Sequence, residues 1–326
     1  MLVSFSQANL LDKARQQPER VKEVINKMKT DGIQPTLEAV FRKLGTPLPL
    51  GYSQAGEVVE VGEAVSEFKV GDAVVSTFHP AWLDGHKERG ELTATPGGAV
   101  DGFACEFVTR PATQFTRAPQ GFSHVEAATL PCAAVTAWRA LVHNGRVKSG
   151  DRVLIQGTGG VSLFALQFAK AAGAEVIATS SSAEKLERLK ALGATHVINY
   201  RDNENWGEQV LELAEGVGVD HVIEVGGPNT LAQSMLAART GAHIAIVGAV
   251  GGFDTDAMPF MQLQAKRLCV QGVTVGSRRD QQHMLRAIEV NQIKPVIDRV
   301  FPLDCLADAF RHLQSGRHVG KIAITI

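Results

Sequence analysis

Cysteine is scarce in this chain. The 326 residues hold four, at positions 105, 132, 269 and 305, and no C-x-x-C pair. That spacing argues against a disulfide framework and a structural zinc lobe, and the default setting is a reducing cytoplasm. An excess of charge of one sign is also missing. The formal net charge is −1, which leaves no electrostatic footprint for nucleic acid or an anionic membrane surface. No unbroken apolar run reaches membrane-spanning length, and the N-terminus lacks the charged and apolar regions of a signal peptide. Internal repeats and low-complexity tracts are absent. What remains is 44% hydrophobic residues, enough to bury sizeable cores in two domains.

The densest signal lies between residues 151 and 200. Asp151-Arg-Val-Leu-Ile155 is a short apolar run, followed by Gly157-Thr158-Gly159-Gly160-Val161-Ser162. A helical stretch, Leu163 to Ala172, a turn at Gly173 and a second apolar run, Glu175 to Thr179, complete a strand–turn–helix–strand unit. This is the pattern of a dinucleotide site. Glycine lets the backbone turn tightly and lets a pyrophosphate approach the helix N-terminus, where unpaired N–H groups favour an anion. Ser162 stands where the usual fingerprint has Gly or Ala, and an ordinary strand-to-helix turn is the plain alternative. Further strands follow at α/β spacing, at His196–Tyr200, His221–Val225 and His243–Gly248. Helical segments at Ala183–Leu192 and Thr230–Arg239 separate them. The alternation predicts a doubly wound parallel sheet, with Gly226 and Gly248 at strand C-terminal ends where such sheets bind ligands.

NAD sites place a carboxylate at the end of the second strand, on the ribose 2′-OH. Here that place holds Thr179-Ser180-Ser181-Ser182, with Lys185 just beyond. Hydroxyls and a cation suit a 2′-phosphate, so the expected cofactor is NADP(H). Ser182 also suits a helix N-cap.

Other segments, in order, carry a resemblance. They are Gly51-Tyr52 through Gly62 with Phe68-Lys-Val-Gly71-Asp72, Ala127 through Trp138, Val147-Lys-Ser-Gly150-Asp151, and Gly320-Lys321 before the last strand. From about Leu48 onward the chain resembles the medium-chain dehydrogenase/reductase superfamily, and most closely its zinc-free alcohol dehydrogenase-like and quinone oxidoreductase-like members. The resemblance implies a Rossmann domain at 123–295 and a GroES-like β-barrel domain at 47–122 and 296–326. It implies that Ser180, Lys185 and Tyr200 line a 2′-phosphate pocket. It also implies that Thr136 lies beside the nicotinamide and that Cys269–Ser277, a β-rich run, pairs sheets across a homodimer. Val275, Gly276 and Ser277 then close that strand near the nicotinamide.

No catalytic metal is expected. Zinc members have Gly-His-Glu where this chain has Gly51-Tyr52-Ser53, and Cys132 alone cannot supply the three protein ligands required. His79 and His86 match no ligand spacing. Residues 1–46 depart from the family. Val21, Val24, Ile25 and Met28, then Leu37, Val40, Phe41 and Leu44, follow helical spacing where barrel strands are expected. Residues 1–70 resemble an internal stretch of bacterial bi-domain oxidoreductases. Two explanations stand: Met1 is an internal start of a longer protein, or a helical segment replaces the first strands.

These readings converge on an NADPH-dependent oxidoreductase. It would transfer hydride to a quinone, a conjugated enone or another carbonyl substrate without a metal. Tyr52 is a candidate pocket hydroxyl, and Phe78 and Trp82 are candidate substrate contacts near an 81–100 loop with few apolar residues. The alternatives are an NADPH-binding protein with little turnover and an NADP-dependent alcohol dehydrogenase.

Overall fold

The computed structural model describes residues 53–86, 95–97, 100–252 and 259–326. The expected helices of residues 1–46, Tyr52, and half of the 81–100 loop lie outside the described residues.

Six short strands form the larger sheet: β4 (Arg152–Gln156), β5 (Glu175–Ser180), β6 (His196–Asn199), β7 (Val219–Glu224), β8 (Ala238–Ile246) and β9 (Cys269–Gly272). All pairs are parallel, in the order β6-β5-β4-β7-β8-β9. Alternate side chains leave opposite faces of a strand, and here both faces are apolar. Val153 and Ile155 of β4 join one core with Val176, Ala178, Ile223 and Ala245. Leu154 joins the other with Ile177, Val222 and Ile244. Such a sheet must be covered on both sides. Helices α1 (His124–Asn144), α2 (Gly160–Ala171) and α7 (Arg278–Val290) contribute to the first core. Helices α4 (Trp206–Leu213) and α5 (Pro228–Ala237) build the second. Two further helices, α3 (Ala183–Ala191) and α6 (Phe260–Ala265), complete the crossovers.

The strand order reverses between β4 and β7, which opens a crevice at their C-terminal ends. Several boundaries differ from the sequence expectation, three of them along β8 and β9. The fifth helix stops at Ala237, and β8 begins at Ala238 rather than His243, because a register shift with β7 accommodates Gly241 at φ +79°. The strand expected over Cys269–Ser277 ends at Gly272. Its neighbour β8 stops at Ile246, and the chain turns away through Val275 at φ +51°.

A smaller antiparallel sheet joins β1 (Ala55–Glu57), β2 (Ala73–Ser76) and β3 (Phe115–Arg117). Near the C-terminus β10 (Ile297–Pro302) pairs parallel with β11 (Lys321–Thr325), and α8 (Leu306–Gln314) connects them. The last strand was expected to return to the barrel. Among the described residues it pairs with β10, and Gly320 just before it bridges to Gly159.

The first helix is long and apolar enough to cross a membrane by length and composition, but most of it is buried inside the protein. Its π-type turn at Leu130–Ala134 contains Pro131. There the Val135 N–H reaches back five residues to the Leu130 carbonyl.

Candidate active site

The glycine loop sits at the crevice. Gly157 has φ +72°, a conformation that disfavours any side chain, and its N–H donates to the Thr179 carbonyl at 2.7 Å. Gly159 is the N-cap of α2, with no side-chain cap and no acid in the first turn. Two other helices differ. Ser182 caps α3, and Ser277 with Asp280 forms a capping box on α7. The bare end of α2 therefore fits an anion. Ser162, the departure from the fingerprint, is buried and donates to the Gln156 carbonyl at 2.7 Å, tying the first turn of α2 to the end of β4. Thr158 is buried, Val161 is half-buried, and the Thr158 carbonyl accepts from the Gly320 N–H at 2.8 Å.

Lys321 is the residue that sequence reasoning missed. It was noted only as part of a family motif, yet it lies across the loop. A Cβ on Gly160 would stand 2.5 Å from Lys321 Cδ and 3.1 Å from Ala133 Cβ. Burial lowers the Lys321 pKa, and burial raises that of the Cys132 thiol beside it. No spacing rule links 160 to 321, so only the fold could bring them together.

At the end of β5, Ser180 is buried, Ser181 is half-buried, and the Ser182 hydroxyl accepts from the Lys185 N–H at 3.4 Å. The Lys185 ammonium donates to the Gly316 carbonyl at 2.6 Å. Burial lowers its pKa, while Asp298 and Glu184 act the other way. His318 shares this neighbourhood, and its pKa is lowered by burial and then by Lys185. Asp298 is already engaged, accepting from the Val319 N–H at 3.0 Å and meeting His312 Nε2 at 2.6 Å. Tyr200 follows β6, partly exposed, with its N–H on the Ser180 carbonyl at 3.1 Å. Four residues expected to line the pocket, Ser180, Ser181, Lys185 and Tyr200, thus lie together.

On the other side of the crevice, Thr136 is buried and its hydroxyl donates to the Cys132 carbonyl at 2.6 Å. Gly276 packs against this helix, since a Cβ there would stand 2.8 Å from Val135 Cγ1. The Ser277 hydroxyl donates to Asp280 at 2.8 Å. Gly226 and Gly248 lie just past β7 and β8, and a Cβ on Gly248 would stand 3.1 Å from the Val225 carbonyl. Phe78 and Trp82, candidate substrate contacts, are buried. Phe78 packs edge-on to His79, and the Arg139 guanidinium lies 4.5 Å over the Trp82 ring. Among the described residues no group of three His, Cys, Asp or Glu side chains could hold a metal ion.

A doubly wound sheet, a glycine loop at its switch point and an adjoining small antiparallel sheet define a nucleotide-dependent oxidoreductase class. The comparisons with known proteins agree. Residues 160–290 match the family model described as zinc-binding dehydrogenase, and residues 22–120 match the alcohol dehydrogenase GroES-like domain. That second match begins inside the segment expected to be helical. A zinc-type alcohol dehydrogenase-like protein of Schizosaccharomyces pombe is 41% identical over 86% of this chain and 84% of its own length. A Leishmania amazonensis protein with a provisional quinone oxidoreductase name is 30% identical over 88% of this chain and 82% of its own. A crystal structure from Sinorhizobium meliloti 1021 with a provisional alcohol dehydrogenase name has 42% identity and TM-score 0.81, covering 88% of this chain and 86% of that one. The structure of an NAD-dependent alcohol dehydrogenase has 35% identity and TM-score 0.77, covering 86% and 84%. That of a 2-octenoyl-CoA carboxylase reductase, solved with NADP and 2-octenoyl-CoA, has 30% identity and TM-score 0.74, covering 84% and 67%. The chain belongs to the medium-chain dehydrogenase/reductase superfamily.

Proposed function

We propose that this chain is an NADPH-dependent oxidoreductase that reduces a quinone or a conjugated enone without a metal. The observation that carries the cofactor choice is the end of β5, where hydroxyls of Ser180–Ser182 and the partly buried Lys185 stand in place of a ribose-binding carboxylate. A desolvated ammonium gains most from a phosphate, and Gly316 offers it only a neutral carbonyl. Tyr200 and His318 complete the pocket. Gly157, Gly159, Gly160 and Val161 receive the pyrophosphate, and Lys321 offsets its charge. Thr136 and Val275–Ser277 flank the nicotinamide ring.

When bound, the reduced nicotinamide supplies a hydride. The chain's own residues orient it and exclude water. The hydroxyls of Thr136 and Ser277 already donate, to Cys132 and Asp280, so neither is free to protonate a substrate oxygen. This favours acceptors whose developing charge is delocalised, with the proton drawn from solvent. Tyr52 is the remaining candidate donor. The exposed edge strand β9 is the proposed seat of a homodimer, and a small molecule is the proposed partner in a reducing cytoplasm.

The test is a fluorescence titration with NADPH and NADH, comparing wild type with Lys185→Glu, followed by quinone- and enone-dependent NADPH oxidation. NADPH binding should be the tighter, and the variant should lose roughly tenfold or more for NADPH with little change for NADH. Equal loss for both cofactors, or tighter NADH binding by wild type, would refute the assignment. A second reading, NADP-dependent alcohol oxidation, draws on the names of the relatives. It gains if added zinc raises alcohol turnover. Tight NADPH binding with no turnover on any of these substrates would leave a binding protein.

A further inference from the structure

Behind the crevice, at the C-terminal ends of β4 and β7, lies a closed polar cluster. Glu224 is fully buried, and the Gln156, Gly227, Thr230 and Ser234 groups that hydrogen-bond to it are neutral. Its Oε1 accepts from the Gly227 N–H at 2.9 Å and the Thr230 hydroxyl at 2.6 Å. Its Oε2 accepts from the Gln156 amide at 2.8 Å and the Ser234 hydroxyl at 2.5 Å. Gln156 uses its own Oε1 to accept from the N–H groups of Val225 and Gly226, both at 3.2 Å. The Gln156 backbone carbonyl takes the Ser162 hydroxyl from the first turn of α2.

The cluster thus ties the glycine loop to the Val225–Gly227 turn. That turn is a wall of the crevice, and it carries the next loop with it. Val250 N–H donates to the Val225 carbonyl at 3.0 Å, and Gly251 N–H to the Gly226 carbonyl at 2.8 Å. Gly227, at φ +89°, leaves no room for a Cβ, which would stand 2.7 Å from Ala249 Cα.

Hydrogen bonding alone does not decide which of the two positions carries the acid. With the residues exchanged, an acid at 156 would accept from Val225, Gly226 and Ser234, and an amide at 224 would accept from Gly227 and Thr230 and donate to it. Location distinguishes them. Gln156 directly precedes Gly157, whereas Glu224 lies at the N-terminus of α5, which favours an anion. We propose that Glu224 is a positioning residue for the dinucleotide: with Gln156 it fixes the Val225–Gly227 wall, and its placement at 224 keeps negative charge off the glycine loop. The proposal rests on the dinucleotide reading above.

The test compares four full-length proteins: wild type, Glu224→Gln, Thr230→Val, and the exchange Gln156→Glu with Glu224→Gln. Each is titrated with NADPH and NADH at low and high salt, and its thermal midpoint is measured without cofactor. Glu224→Gln should lower the midpoint and weaken both dinucleotides roughly tenfold. The exchange should recover most of the midpoint yet bind as weakly as the single variant, with the deficit largest at low salt. Thr230→Val, which keeps the charge and removes one donor, should weaken binding about threefold.

Recovery of both midpoint and affinity by the exchange would overturn the role of charge placement. A lowered midpoint with unchanged affinity in Glu224→Gln and Thr230→Val would make the cluster purely structural and overturn the positioning role. If the exchange does not fold, those two variants decide. Wild type that binds neither dinucleotide overturns the cofactor reading and this proposal with it.

Discussion

At the scale of single residues, the crevice depends on a few positions where a side chain has no place. Gly320 is the most constrained. It has φ +85°, and a Cβ there would stand 2.2 Å from the Val296 carbonyl. Its N–H also holds the glycine loop through Thr158. Gly320→Ala combines left-handed strain with a backbone clash and should cost about 3 kcal/mol or more. A fall in the thermal midpoint with weakened dinucleotide binding would bear this out, and an unchanged midpoint would refute it. Lys185 works by charge rather than by space, so its substitution should spare the midpoint and move only cofactor choice. Ser162 is a third case. Its hydroxyl replaces the close packing that a Gly or Ala usually allows with a bond to Gln156.

At the scale of elements, α7 is anchored by one buried carboxylate. Asp280 caps the helix through the Ser277 N–H and hydroxyl, at 2.9 Å and 2.8 Å. It also pairs with Arg139 at 2.5 Å and His143 at 2.7 Å. Burial alone would raise its pKa. The Ser277 bonds, with Arg139 and His143 beside it, outweigh burial and hold it below the ordinary carboxylate range. The unfolded chain therefore binds the proton more tightly than the folded one. The stability this group contributes is present above about pH 4 and is lost as pH falls through the folded value. Asp280→Asn should cost about 2 kcal/mol at neutral pH and reduce acid sensitivity below pH 4. Denaturant melts between pH 3 and 7 would show whether the two curves converge at low pH, and parallel curves would sink the idea. His243 on β8 follows the opposite chemistry with the same sign. Burial holds its pKa below 6.5, so stability should decline as pH drops below that value, because the unfolded imidazole takes the proton first.

At the scale of the whole molecule, the small sheet is seated on the larger one through α7. Gln281 donates to the Ser76 carbonyl at 3.1 Å and to the Thr116 hydroxyl at 2.8 Å. Arg278 donates to the Phe115 carbonyl at 2.9 Å, and its N–H to the Trp82 carbonyl at 2.9 Å. Gln281→Leu should leave the dinucleotide Kd nearly unchanged, because the glycine loop is untouched. It should lower kcat severalfold by loosening the wall that the small sheet adds to the cleft. Equal changes in both constants would argue against this division of labour. The edge strand β9 should mediate dimerisation, so Val270→Pro should yield a monomer by light scattering. A variant that remains dimeric would place the interface elsewhere.

The amino-acid sequence by itself determined the parallel sheet, the glycine loop and the order of helices. Each rests on local chemistry: two-faced apolar strands, glycine turns and capping residues only a few positions apart. It also named Ser180 and Lys185, because the end of the second strand lies at a predictable offset from the glycine loop, whereas Tyr200 came only from the family resemblance. The sequence could not reveal Lys321 across Gly160, Glu224 facing Gln156, or Asp280 between Arg139 and His143. These partners are separated by 161, 68 and 141 positions, the last two as measured along the hydrogen-bond pairs. No periodicity spans such distances. Burial and pairing of charged groups are properties of packed elements, and only the tertiary structure decides which buried acid meets a cation and which meets an amide.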